Sequence, residues 1–274
     1  MAEYKIVASD LDGTLLDSNG NISTDNLCSI SSLKELGVLF VPASGRSLSE
    51  IPTEIKDHPA VRYIIHSSGA VVYDKLTEER ISFCFPRELS SKIMALLFAA
   101  DCHLTVRHKG RMFTSLDKMN EESFVKYKVW KPHSELLHLV GEPIPDFEEK
   151  FSSAGDVEMI SIFIGDNERL LELKSSLSEI PGVNVASACP YNIELTYSEA
   201  GKGNALLALA KKLNIASSET VAVGDSENDM PMILAAGLGL AVENASEELK
   251  AKADRVICSN DYGIAKYLLE TCFQ

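Results

Sequence analysis

Tyr4-Lys5-Ile6-Val7-Ala8-Ser9-Asp10-Leu11-Asp12-Gly13-Thr14 opens on a short apolar run and ends in two aspartates one residue apart. The run of Ile, Val and Ala reads as a strand buried on both faces, the kind found in parallel sheets. In an extended segment residues i and i+2 point to the same side, so Asp10 and Asp12 are expected to converge. Gly13 lets the chain leave the strand at dihedrals that other residues resist, and the Thr14 hydroxyl can fix the turn. Two carboxylates beyond the carboxyl end of a buried strand repel each other unless a cation holds them, and that is where open α/β sheets bind ligands. A hard divalent ion suits such oxygen donors, and Mg²⁺ is the expected one. An ordinary acidic turn has the same composition, so the decision falls to the rest of the chain. A calcium loop beginning at Asp10 is excluded: Thr14, Leu15 and Asn21 stand where it needs an acid or amide, a glycine and a glutamate.

A chain of 274 residues suits one large or two moderate domains and can bury a real core. The net charge of −14 argues against nucleic acid or an anionic membrane as partner. An acidic protein that handles a phosphate must build a local positive site. Cys28, Cys84, Cys102, Cys189, Cys258 and Cys272 show no C-x-x-C spacing and are read as reduced thiols. The first strand begins at once, leaving no room for a leader, and the longest apolar run, Ile93–Ala100, is too short to span a bilayer. The expectation is a soluble, cytoplasmic protein.

Taken in order, Ser23 or Thr24 caps a helix with apolar Leu27, Ile30, Leu33 and Leu36, ended by Gly37. Val38–Val41 is a second buried strand and 61–66 a third, after which Ser67-Ser68-Gly69-Ala70 turns the chain into a hairpin with Val71-Val72-Tyr73. The alternation of strand and helix predicts an α/β fold with a doubly wound, Rossmann-like parallel sheet. From Phe83 the character changes to a smaller α/β unit, with strands expected at His103–Arg107, Arg111–Thr114, Glu158–Ile164 and Val183–Ala188, and no assignment for the polar stretch 118–149. Residues 83–190 are therefore expected to form an inserted domain between core segments 1–82 and 191–274. The core resumes with a short strand at Ile193–Thr196, a helix after Gly201-Lys202-Gly203, and the strand Val221-Ala222-Val223.

Three more segments lie where strands feed helices. Ser44-Gly45 offers a hydroxyl and backbone N–H groups suited to an anion, although a serine there is also a common helix cap. Lys202, between two glycines at a helix mouth, brings a positive charge; it is no Walker loop, because Thr196 stands where that motif needs glycine. Gly224-Asp225-Ser226-Glu227-Asn228-Asp229 crowds acids and an amide directly after a buried strand, and Met230 rules out a calcium loop. Acids favour a helix N-terminus in any case, but a solvated cap leaves the placement of Asp225 directly after Val-Ala-Val-Gly unexplained. Gly237-Leu238-Gly239 lacks the third glycine of a dinucleotide site, no histidine has metal-ligand spacing, and Arg46 is read as pairing with a nearby acid.

The order of D-x-D-G-T, Ser44-Gly45, Lys202 and G-D-x-x-N-D resembles the haloacid dehalogenase-like hydrolase superfamily, and within it the Cof-type phosphatases with a type IIB α/β cap. The resemblance runs over essentially the whole chain, with the inserted domain as cap. It implies that Asp10 is the nucleophile that becomes phosphorylated and that Asp12 protonates the leaving alcohol and later takes a proton from water. It implies phosphoryl contacts from Ser44, the Gly45 amide, Lys202 and Asn228. It further implies Mg²⁺ bound by Asp10, the Asp12 carbonyl and Asp225, with Asp229 ordering metal waters or Lys202. The family more often has Thr at the place of Ser44, and Asn at the place of Ser68. The expected activity is Mg²⁺-dependent hydrolysis of small phosphorylated metabolites, sugar phosphates above all. The alternatives are a phosphotransferase such as a phosphohexomutase, and a non-catalytic ligand sensor.

Overall fold

The computed structural model describes residues 4–273 and divides the chain into two units. One comprises the chain up to Gly45, Ile51–Ile81 and the chain from Gly201 onward; the other comprises Arg46–Glu50 and Ser82–Ala200.

In the first unit, five parallel strands lie side by side in the order Arg255–Val256, Leu238–Ala241, Thr220–Gly224, Ile6–Ser9, Leu39–Pro42. A parallel bridge from Ala43 to Ile65 carries the row on to Tyr63–His66, which forms the expected hairpin with Val71–Asp74. Ile6, Val7, Ala8, Val221, Ala222 and Val223 are fully buried, which is why these strands read as unbroken apolar runs. Helices Thr24–Glu35, Lys202–Lys212, Met230–Ala235 and Ile264–Cys272 lie between or after the strands. The first is capped by Ser23, whose side chain accepts the Asn26 N–H, and it buries Ile30 and Leu33. Removing either side chain to alanine would cost about 2–5 kcal/mol. Strand order runs outward from Ile6–Ser9 one way through Leu39–Pro42 and the other way through Thr220–Gly224. The boundary between Ile6–Ser9 and Thr220–Gly224 is therefore the topological switch point, where doubly wound sheets open a crevice.

The second unit holds a six-stranded sheet in the order Val183–Ala186, Asn192–Tyr197, Val157–Phe163, His103–His108, Arg111–Ser115, Gly141–Ile144. Its strands alternate. Leu104, Val106, Ile160, Ile162, Ile193 and Leu195 meet apolar side chains of helices Arg87–Phe98, Phe147–Phe151 and Asn167–Ser178 in one core. The intervening residues include Arg107, whose Nε and Nη2 donate to the Glu50 carboxylate at 2.7 and 3.0 Å and whose Nη1 donates to Ser161 Oγ at 2.9 Å. Burial alone would raise the Glu50 carboxyl, but the Arg107 guanidinium outweighs it and brings its pKa down to about 2.

Two expectations are corrected, and one unassigned stretch gains its structure. The strand expected in the resumed core at Ile193–Thr196 spans Asn192–Tyr197 and pairs with Val157–Phe163 and Val183–Ala186, so the second unit extends to Ala200 rather than 190. Its alternation of apolar Ile193 and Leu195 with polar Glu194 is the mark of an antiparallel sheet with two unlike faces. No helix begins at Gly45: Arg46–Glu50 joins the second unit through the Glu50–Arg107 pair, with a 3-10 turn at Leu48–Glu50, and the next α-helix is the single turn Thr53–Lys56. The unassigned stretch 118–149 holds helices Glu121–Tyr127, capped by Asn120, and Lys131–Val140, with Pro132 in its first turn where no N–H is missed.

Candidate active site

Asp10 follows the last residue of its strand and donates its N–H to the Val223 carbonyl at 3.0 Å, which seats it at the switch point with its side chain buried. The chain then leaves in a wide turn, with the Leu15 N–H bonded to the Asp10 carbonyl and the Leu16 N–H to that of Leu11. Gly13 stands in this turn at φ +77°, and a Cβ there would lie 2.7 Å from Asp225 Oδ2. Glycine is required both for the dihedral and for the approach of the acid. Thr14 Oγ1 does more than fix its own turn: it donates to Asp225 Oδ1 at 3.2 Å. Because the strand stops at Ser9, the two-residue alternation does not reach Asp12, whose side chain is exposed and outside the carboxylate cluster.

Lys202 is the first residue of helix Lys202–Lys212, and its side chain is buried. Its Nζ lies 2.6 Å from Asp10 Oδ1 and 2.6 Å from Asp229 Oδ1. An unpaired ammonium in such a place would cost several kcal/mol of lost hydration. Burial works against the charged lysine, but Asp10 and Asp229 outweigh it and hold its pKa above the ordinary value. Burial pushes the Asp10 carboxyl well above the usual range, Lys202 opposes this, and Asp229 adds to it. Asp225 is raised as well, by burial first and then by the charge of Asp229. The other oxygen of Asp229 accepts the N–H groups of Asp225 and Ser226 at 3.0 and 3.1 Å, which folds the acidic loop back on itself. One carboxylate thus orders both the lysine and the loop.

Carboxylate oxygens of Asp10, Asp225 and Asp229 lie within 4.8 Å of one another. Three hard anionic donors at that spacing fit a Mg²⁺-sized cation that keeps some of its waters. Ser44, fully buried after strand Leu39–Pro42, donates its N–H to the Ile65 carbonyl at 2.9 Å, and Gly45 beside it is half-buried. Asn228 is exposed; its Oδ1 accepts the Ser226 hydroxyl at 2.7 Å within its own loop, and it is not drawn to Lys202. Sequence reasoning missed Asn244, whose Nδ2 donates to the Gly13 carbonyl at 2.7 Å. Its position just past the carboxyl end of strand Leu238–Ala241 was the available signal.

The family described as haloacid dehalogenase-like hydrolase matches residues 7–268. The phosphatase YwpJ of Bacillus subtilis is 28% identical, with 97% of this chain and 100% of the relative covered. The 5-amino-6-(5-phospho-D-ribitylamino)uracil phosphatase YwtE of the same organism is 28% identical, with 97% of each chain covered. The crystal structure of the protein TM0651 from Thermotoga maritima superposes with a TM-score of 0.83 at 31% identity over 97% of both chains. With the family matched over both units and three acids gathered with Lys202 beside the sheet's switch point, this chain belongs to the haloacid dehalogenase-like hydrolases.

Proposed function

We propose that the chain is a phosphatase that hydrolyses small phosphorylated metabolites, sugar phosphates first, through an aspartyl-phosphate. The observation that carries this reading is Lys202 Nζ held 2.6 Å from both Asp10 and Asp229, residues drawn from 192 and 27 positions away. A buried carboxylate beside a fixed positive charge is poised to meet a phosphoryl group, whose negative charge the lysine can share. In the first step an Asp10 oxygen forms a bond to phosphorus as the ester oxygen leaves, taking a proton from Asp12. In the second, water attacks the acyl phosphate, gives its proton to Asp12, and frees Asp10 and inorganic phosphate. The exposure of Asp12 suits a group that exchanges protons with an alcohol and then with water. Ser44 and the Gly45 amide would hold phosphoryl oxygens, and Asn228 would have to turn from Ser226 to join them. Asp10, Asp225 and Asp229, with the Asp12 carbonyl, would hold Mg²⁺, which when bound supplies charge neutralisation at the phosphoryl oxygens.

The phosphatases YwpJ and YwtE support the reaction, and the phosphorylated ribityl compound in the name of YwtE supports a sugar-like substrate. The test is phosphate release from p-nitrophenyl phosphate and a panel of phosphorylated metabolites in Mg²⁺, with EDTA and Asp10→Asn as controls. Release that stops in both controls is expected; undiminished turnover by Asp10→Asn would overturn Asp10 as nucleophile.

A further inference from the structure

Where strand Tyr63–His66 turns back into Val71–Asp74, the chain takes an unusual course. Ser67 at φ +51°, Ser68 at φ +55° and Gly69 at φ +85° are three successive left-handed residues, two of them bearing side chains. Residues with a Cβ visit that region rarely and singly, and such outliers collect at functional sites. A hairpin link alone does not call for it, since Asn or Gly would occupy these dihedrals without strain.

The surroundings give the turn a task. The Ser68 N–H donates to the Ser44 carbonyl at 3.0 Å, and a Cβ on Gly45 would lie 3.3 Å from Ser68 Oγ, so the hydroxyl rests against Gly45. On its other side, a Cβ on Gly69 would lie 2.4 Å from the Gly201 carbonyl oxygen and 2.5 Å from the Lys202 nitrogen. The turn is thus wedged between the Ser44-Gly45 segment and the start of the lysine helix. We infer that Ser68 is a positioning residue: its left-handed turn sets the spacing between Ser44-Gly45 and Lys202, and its hydroxyl fixes the orientation of the Gly45 amide toward a phosphoryl group. The inference rests on the phosphatase reading and deepens it, because it assigns a role in holding the phosphoryl group to a residue outside the acid–lysine cluster.

Three variants separate positioning from folding. Ser68→Gly keeps the left-handed backbone, removes the strain and deletes the hydroxyl; Ser68→Ala keeps the strain without the hydroxyl; Ser68→Asn restores a polar group that tolerates the conformation. Each is compared with the wild type for thermal unfolding, for calorimetric affinity toward inorganic phosphate in Mg²⁺, and for kcat and KM on p-nitrophenyl phosphate. Ser68→Gly is expected to unfold at or above the wild-type temperature, yet to bind phosphate about fivefold more weakly and lose about tenfold in kcat with KM changed less. Ser68→Asn is expected to recover most of both. Wild-type phosphate affinity and kcat in Ser68→Gly would overturn the role of Ser68 and leave the phosphatase reading standing. A wild-type protein that neither binds phosphate nor releases it from esters would overturn that reading, and this inference with it.

Discussion

Lys202 and Gly13 show how single side chains, or the lack of one, set the terms of this site. Lys202 neutralises two buried acids at once, so Lys202→Met strands both Asp10 and Asp229 without a countercharge. Breaking a buried pair in this way costs about 3–5 kcal/mol, and the variant is expected to unfold at lower denaturant as well as to lose activity. The exposed pair of Lys212 with Glu79 is the control, since solvent screens a surface pair and leaves it little effect on stability. Equal losses in Lys202→Met and Lys212→Met would show that burial plays no part. Gly13→Ala acts differently: it forces a left-handed alanine, costing about 1–2 kcal/mol, and drives a Cβ into Asp225 Oδ2. Its expected signature is a Mg²⁺ requirement raised about tenfold, read from the metal dependence of phosphate release. An unchanged Mg²⁺ dependence would mean that Asp225 binds no metal. Gly13 was legible in the sequence as a turn former, whereas the approach of Asp225, 212 positions on, was not, because spacing along the chain carries no information about which loops meet.

Among the elements, the five residues Arg46–Glu50 depart most from what local pattern implies. They follow a core strand, yet Glu50 is buried in the second unit against Arg107 and accepts the Ser47 N–H at 2.6 Å. Nothing in the run Arg-Ser-Leu-Ser-Glu distinguishes a buried glutamate from a surface one; its partner lies 57 residues away and decides the matter. The pair has a pH signature. Glu50 titrates at about 2 when folded and at its ordinary 4.5 when unfolded, so its contribution is complete above 4.5 and is lost as pH falls toward 2. That amounts to about 2 kcal/mol between pH 5 and pH 3. His133 and His103, buried neutral with pKa values lowered to about 3 and about 4, also weaken the unit as pH falls, beginning below their ordinary 6.5. Glu194, raised by burial, works the other way. Comparison with Glu50→Gln isolates the first effect: the variant is less stable at pH 6 but loses less between pH 5 and pH 3. Fluorescence of Trp130, the sole tryptophan and a residue of this unit, reports the unfolding. Parallel losses in both proteins would exclude Glu50 as the titrating group.

At the scale of the molecule, the sheet that builds the site was readable because parallel strands are buried on both faces and leave continuous apolar runs. Val221-Ala222-Val223 and Ile6-Val7-Ala8 announce themselves, and the acids that follow each were found with them. The second unit is harder to read, since its mainly antiparallel strands carry apolar residues at every other place, and nothing local to the strand expected at Ile193–Thr196 tells which sheet it joins. Of the site, Asp10, Asp225, Asp229 and Lys202 came together, whereas the exposed side chain of Asp12 depends on where a strand ends, which pattern locates poorly. The assembled site leaves one electrostatic question open to measurement. Three carboxyl groups face one ammonium inside a chain of net charge −14, so full ionisation of the cluster would leave an excess of negative charge that burial makes costly. A divalent cation bound there favours the folded state by mass action, about 2.7 kcal/mol when its concentration is a hundred times its Kd. Melting curves in Mg²⁺ are therefore expected to rise with log[Mg²⁺], to fall back in EDTA, and to lose this dependence in Asp225→Asn, which removes one ligand charge and keeps the shape. Calcium, larger and less demanding of geometry, serves as a comparison for size. If Asp225→Asn were stabilised by Mg²⁺ as much as the wild type, the cation would lie elsewhere, and the cluster would be an acid–lysine network with no metal to hold.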